Sequence, residues 1–73
     1  MKCLYNNTES DIFIIELGFN LIAQSNQEIP LMELPNWQYS EQIEDEINAG
    51  NLVANNGETY YWTPEEGLAY LRS

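Results

Sequence analysis

The sequence has 73 residues, with 12 Asp and Glu against 2 Lys and Arg, and a formal net charge of -10. So short a chain is one domain with a small core that buries only about 60% of its unfolded surface. With one cysteine and no histidine, it has neither an intrachain disulfide nor a structural zinc site to staple it, which raises oligomerisation as a source of stability. The charge excludes direct binding to nucleic acid or anionic membrane, since such contacts need cations to displace counterions from phosphates, and the hydrophobic content of 44% separates the chain from a disordered composition.

In chain order, residues 2–5 predict a short strand and Asn6-Asn7-Thr8 a turn. Those three residues also fit a glycosylation sequon, which reads as chance in a chain with no visible signal peptide. Residues 11–17 hold the strongest strand pattern. Ile12, Phe13, Ile14 and Ile15 put apolar groups on both alternating faces, which predicts a strand buried on both sides. That run is far short of the about 20 apolar residues of a membrane helix, and the expectation is a soluble protein made inside the cell. Gly18 marks a bend. Residues 19–23 alternate as a half-buried strand, residues 24–27 read as a polar loop, and residues 28–34 as a strand whose Pro30 belongs on an edge.

Ser40 is a candidate helix N-cap, with Glu41, Glu44, Asp45 and Glu46 behind it, Ile43 and Ile47 on one face, and Gly50 at the left-handed stop. A helix is expected over residues 40–49. Residues 52–54 and 58–62 flank Asn55-Asn56-Gly57, a hairpin signal because Asn and Gly tolerate positive φ. On such a strand Tyr60 and Trp62 share one face and Tyr61 takes the other. Thr63-Pro64-Glu65-Glu66 is a helix start with a capping box. The last helix runs over residues 64–72 with Leu68 and Leu71 inward, and its Gly67 points to close backbone packing or a tolerated defect costing about 1 kcal/mol. The predicted class is α+β: a small antiparallel sheet or sandwich-like core of about 4–6 short strands with two short helices.

Candidate chemistry is sparse. Without histidine there is no imidazole base for a serine or cysteine nucleophile. Lys2 is the lone lysine, and phosphate-binding, dinucleotide, metalloprotease and EF-hand motifs are absent. The reading is a non-enzyme with no cofactor and no metal. Cys3 reads as a small buried hydrophobe. Two groups remain as candidate protein-interface residues. Glu41, Glu44, Asp45 and Glu46 are either a solvated helix face, the usual role of a charge run, or a contact for a basic partner, with Glu41, Glu44 and Asp45 the candidate interface residues. Among Trp37, Tyr39, Tyr60, Tyr61 and Trp62, one set fills the core, and Trp37, Tyr39 and Tyr61 are candidate interface anchors, since Tyr and Trp are enriched at interfaces.

Two longer segments carry a resemblance. One is Ile15-Glu16-Leu17-Gly18-Phe19-Asn20-Leu21-Ile22-Ala23. The other is Ile47-Asn48-Ala49-Gly50-Asn51-Leu52-Val53-Ala54-Asn55-Asn56-Gly57, closing on residues 64–71. Together they resemble small modules that recur in tailed-bacteriophage particle proteins, and they cover most of the chain. The matching features are turns and caps, so the resemblance implies no site residues. The sequence departs from the pattern at Tyr60-Tyr61-Trp62, where smaller or more polar residues are expected.

The resemblance implies a structural accessory protein of a phage particle. That role is capsid decoration (cement) or a head–tail component, located in the virion and made in the host cytoplasm. Such a subunit is expected to be homo-oligomeric and to contact itself, the major capsid protein or another virion protein. The charge supports a different class: an acidic inhibitor or DNA mimic that blocks a host nucleic-acid-binding enzyme. A regulatory adaptor with no fixed assembly is a third.

Overall fold

The computed structural model describes residues 1–29 and 37–73. Within them lie strands β1 (Cys3–Asn6), β2 (Ile12–Ile14), β3 (Phe19–Leu21) and β4 (Asn26–Glu28), a 3-10 turn over Trp37–Tyr39, helix α1 (Glu41–Asn48), strand β5 (Leu52–Asn55) and helix α2 (Pro64–Leu71). β1 is the centre of a three-stranded antiparallel sheet of order β4-β1-β5, and β2 and β3 form a second antiparallel sheet of two strands. The chain is thus the expected α+β fold with two short helices.

The central position of β1 explains its burial. Leu4 faces Gln27 on one side and Ala54 on the other, and Cys3 and Leu4 are both buried. α1 and α2 pack on β5 and on each other. Ile43 and Ile47 of α1, Leu52 and Ala54 of β5 and Leu71 of α2 join Leu4 in one core, which Ile14 and Leu21 enter from the hairpin. Lys2 Nζ donates to the carbonyls of Leu71 and Ser73 at 3.0 and 2.9 Å, and Tyr70 Oη donates to Met1 O at 2.8 Å, tying the two ends of the chain together.

Both helices begin, and α1 also ends, on chemistry visible in the sequence. Ser40 Oγ accepts from Ile43 N. At the other end Gly50, at φ +83°, donates to Ile47 O while Asn51 N donates to Glu46 O, which is the paired closure of a Schellman motif. In α2, Thr63 Oγ1 accepts from Glu66 N and the Glu66 carboxylate accepts from Thr63 N. The Thr63 backbone N–H, then its hydroxyl, hold the Glu66 carboxyl below its usual range. At Gly67, a Cβ would sit 3.0 Å from Ala54 Cβ and 3.2 Å from Ala54 O. The glycine therefore marks close packing of α2 on β5.

Three of the segments expected in the first half of the chain need correction. The strand over residues 11–17 spans only Ile12–Ile14, and it is covered on one face alone: Ile14 is buried while Phe13 is 53% and Ile15 75% exposed. A two-stranded ribbon in so small a chain has one core to pack on, and residues 15–18 turn back instead, with Leu17 N and Gly18 N donating to Ile14 O and Ile15 O. The strand over residues 19–23 is likewise shorter, Phe19–Leu21. Residues 24–27 are not simply a loop, since Asn26–Glu28 pairs with β1 as an edge strand. An edge with one wet side needs no apolar alternation, so periodicity gave no signal there. The strand expected over residues 28–34, with its Pro30, lies outside the described residues beyond Ile29.

The Asn-Gly hairpin does not form. β5 takes β1 as its partner, and residues 58–62 are not a strand. Gly57, at φ +89°, does take the left-handed conformation. The asparagine side chains satisfy the turn's donors themselves: Asn55 Oδ1 accepts from Gly57 N, and Asn56 Oδ1 from Glu58 N and Thr59 N. Tyr60 and Trp62 consequently share no strand face. Tyr60 and Tyr61 both pack on Tyr5, the first stacked at 6.3 Å and the second edge-on at 5.4 Å, whereas Trp62 meets Tyr70 edge-on at 5.0 Å.

Candidate functional site

The hairpin is fastened to the rest of the chain by polar side chains. Asn6, fully buried at the end of β1, donates from Nδ2 to Ser10 O and Leu21 O, both at 2.9 Å, and accepts at Oδ1 from Thr8 N and Thr8 Oγ1. With its amide so engaged inside the fold, Asn6 has no room for a glycan. At the open end, Asp11 accepts from Ala23 N at 2.9 Å and Asn20 Nδ2 at 3.0 Å. The Ala23 N–H and then the Asn20 amide hold the Asp11 carboxyl below its usual range.

Gln42 of α1 makes the third fastening. Its Nε2 donates to Phe13 O at 2.8 Å and its Oε1 accepts from Ile15 N at 3.0 Å. The carboxamide thus meets one donor and one acceptor of the β2 backbone, as a neighbouring strand would.

This contact sets the hairpin turn against the outer side of α1, and the space between them is an open groove lined by Ile15, Glu16, Glu41, Gln42, Asp45 and Glu46. Four of its six lining residues are carboxylates, and neither cationic side chain of the protein lines it. Arg72 is held elsewhere, 3.2 Å from Glu44 and 5.6 Å from the centre of the Tyr39 ring, while Lys2 is held at the chain ends. Beside the groove lies the outer face of the hairpin. Ile12, Ile14 and Leu21 point to the core, so alternation turns Phe13 outward within β2; Ile15 in the turn and Ile22 just past β3 are exposed as well, Ile22 by 53%. Ile15 belongs to both surfaces.

The residues singled out from sequence fall in four places. Trp37 is buried at 3% exposure within the core, so its side chain offers no surface to a partner and does not serve as the interface anchor expected of it. Tyr39 is exposed but covered on one side by Arg72. Glu44 is half-buried in its ion pair with Arg72, which removes it from the acidic face as a free contact. Tyr61 is exposed in the cluster with Tyr5 and Tyr60. Tyr39 and Glu44 thus meet at Arg72, and Glu41 and Asp45 come together in the groove, both exposed.

Sequence reasoning missed Ile15, Glu16 and Gln42. The doubly apolar run at residues 12–15 fits a one-sided ribbon with an exposed apolar face as well as a buried strand. Nothing in the sequence distinguishes Gln42 from any solvated glutamine.

The Cys3 thiol is pushed up by burial and then by the Glu28 charge, which keeps it protonated and unreactive. Among the described residues no group of three or more His, Cys, Asp or Glu side chains could hold a metal ion, and no helix is long and apolar enough to cross a membrane. Comparison of the chain with protein-family models, with curated proteins and with solved structures found no match.

Proposed function

We propose that the chain is a non-catalytic protein-binding module, serving as a structural accessory protein of a bacteriophage particle, in capsid decoration or at the head–tail junction. The observation that carries the binding role is the outer face of the hairpin, where Phe13, Ile15 and Ile22 are all more than half exposed. Apolar groups gathered on one surface of a small domain mark an interaction site rather than a packing remainder. The particle role comes from the resemblance of residues 15–23, 47–57 and 64–71 to phage modules. In this role the partner is a virion protein, a sister copy or both, and affinity comes from apolar burial. Purified particles from the source are the test: this chain should be present in fixed copy number, hundreds for a shell position and about a dozen for a neck or tail position, and should resist extraction by salt. Its absence from the particles overturns the particle role.

The acidic groove favours a second reading, an inhibitor or DNA mimic acting on a basic host enzyme. Such a protein binds its target tightly at low ionic strength, releases it steeply as salt rises, and competes with DNA.

A further inference from the structure

The groove and the apolar face beside it are one surface with two chemistries, and together they specify an occupant. We infer that they form the docking surface for a basic, extended segment of a partner protein, with apolar residues alternating with lysine or arginine. This inference rests on the reading of the chain as a protein-binding module and adds where it binds and what it takes.

On one side stand Glu41 and Asp45, one helical turn apart, whose side chains lie about 5–6 Å from each other. On the other stands Ile15, at the turn end of the ribbon and two residues from the exposed Phe13. In an extended segment successive residues point to opposite sides, and residues two apart, about 6.6 Å from each other, share a side. Cations on one side therefore meet successive carboxylates of α1, while apolar side chains on the other meet the hairpin.

Other occupants fit worse. A second copy brings its own charge of -10 to a groove already rich in carboxylates, and its two cationic side chains are engaged at Glu44 and at the chain ends. Nucleic acid and anionic lipid carry the wrong sign. A wholly polar cation leaves Phe13, Ile15 and Ile22 in water, and a wholly apolar segment strands the carboxylates against it.

The experiment is an amide-resolved NMR titration of the whole chain with a short peptide of alternating Lys and Leu, against peptides of alternating Lys and Ser and of alternating Glu and Leu. Expected are shifts centred on Ile15, Glu16, Gln42 and Asp45, binding about tenfold weaker for the Lys-Ser peptide, and none for the Glu-Leu peptide. The Ile15→Ser variant and the E41Q/D45N double variant should each weaken the Lys-Leu peptide roughly five- to tenfold. The E58Q/E65Q variant, which removes the same charge from other exposed positions, should change it less than about twofold. All the substituted side chains are exposed, and the same spectra confirm folding.

Shifts spread over every acidic residue, shifts centred on Tyr61, an equal loss in E58Q/E65Q, or no binding overturn the inference. Particle association retained by the groove variants overturns it too while leaving the binding-module reading intact. A chain that joins no particle and captures no protein removes that reading itself.

Discussion

The two sheets of this molecule are built on opposite terms. The three-stranded sheet is central, covered by two capped helices, and contributes Leu4, Leu52 and Ala54 to the core. The β2–β3 ribbon is peripheral. It contributes Ile14 and Leu21 inward, leaves Phe13, Ile15 and Ile22 outside, and is fastened by Asn6, Asp11 and Gln42. The difference separates two regions within 73 residues: the first holds most of the buried core, and the second carries exposed apolar side chains. Substitutions should therefore divide into those that move global stability and those that act on the ribbon alone.

The largest effect is expected from Leu52→Ala. Leu52 is buried in β5 between β1 and the helices, and its loss should cost about 2–5 kcal/mol in urea unfolding. That is a large share of the whole stability of a domain this small, whereas Ile15→Ser should stay within about 0.5 kcal/mol. Similar losses at the two sites would break the division. Asn6→Ala comes next at about 1–3 kcal/mol, because it leaves buried groups without partners. Since those partners include Leu21 O and Ser10 O, hydrogen exchange should accelerate first in the hairpin.

Gly67→Ala should lose about 1 kcal/mol net. Crowding against Ala54 costs about 1–3 kcal/mol and outweighs the helix-propensity gain of about 1 kcal/mol. A double-mutant cycle with Ala54→Gly should recover part of the loss. Gln42→Ala should leave the unfolding midpoint nearly unchanged and raise exchange at the Ile15 amide several-fold, since its bonds are at the surface.

The smallest effect is in pH. The folded-state pKa of Asp11 lies below its ordinary 3.8. Its bonds to Ala23 and Asn20 therefore contribute fully above that value and are lost as pH falls through the lower, folded-state value. A carboxyl titration by NMR should show Asp11 titrating low, with the Ala23 amide shift following it. An Asp11 that titrates at its ordinary value would remove this fastening from the account.

The legibility of the fold in the sequence follows the same division. Helix ends are written in local chemistry: Ser40, Gly50 and the Thr63–Glu66 box act within a few residues of themselves, and they stand where the sequence places them. The ribbon is decided by distant partners. Whether residues 12–15 are covered once or twice depends on how much core remains to cover them, which no window of sequence contains. Asn55-Asn56-Gly57 turns the chain as its residues favour, but the path of residues 58–62 beyond the turn depends on β1 having already taken β5. The groove depends on Gln42 meeting Phe13 and Ile15 across 29 and 27 residues, so only Glu41, Asp45 and Glu46, the members of the acidic run among its lining residues, were legible in the sequence.

The clasp of Lys2 on Leu71 and Ser73 makes the backbone almost a ring. A ring has no privileged place to be cut, so the order in which the elements are written along the gene is separable from the shape they make. Bridging residue 73 to residue 1 with a short Gly-Ser link should leave the packed contacts as they are. It should also deny the unfolded chain roughly 4 kcal/mol of freedom in the chain-entropy model. The ring can then be reopened between Glu58 and Thr59, where both neighbours are exposed, giving a permuted chain of the same fold whose new ends lie away from the old junction in sequence.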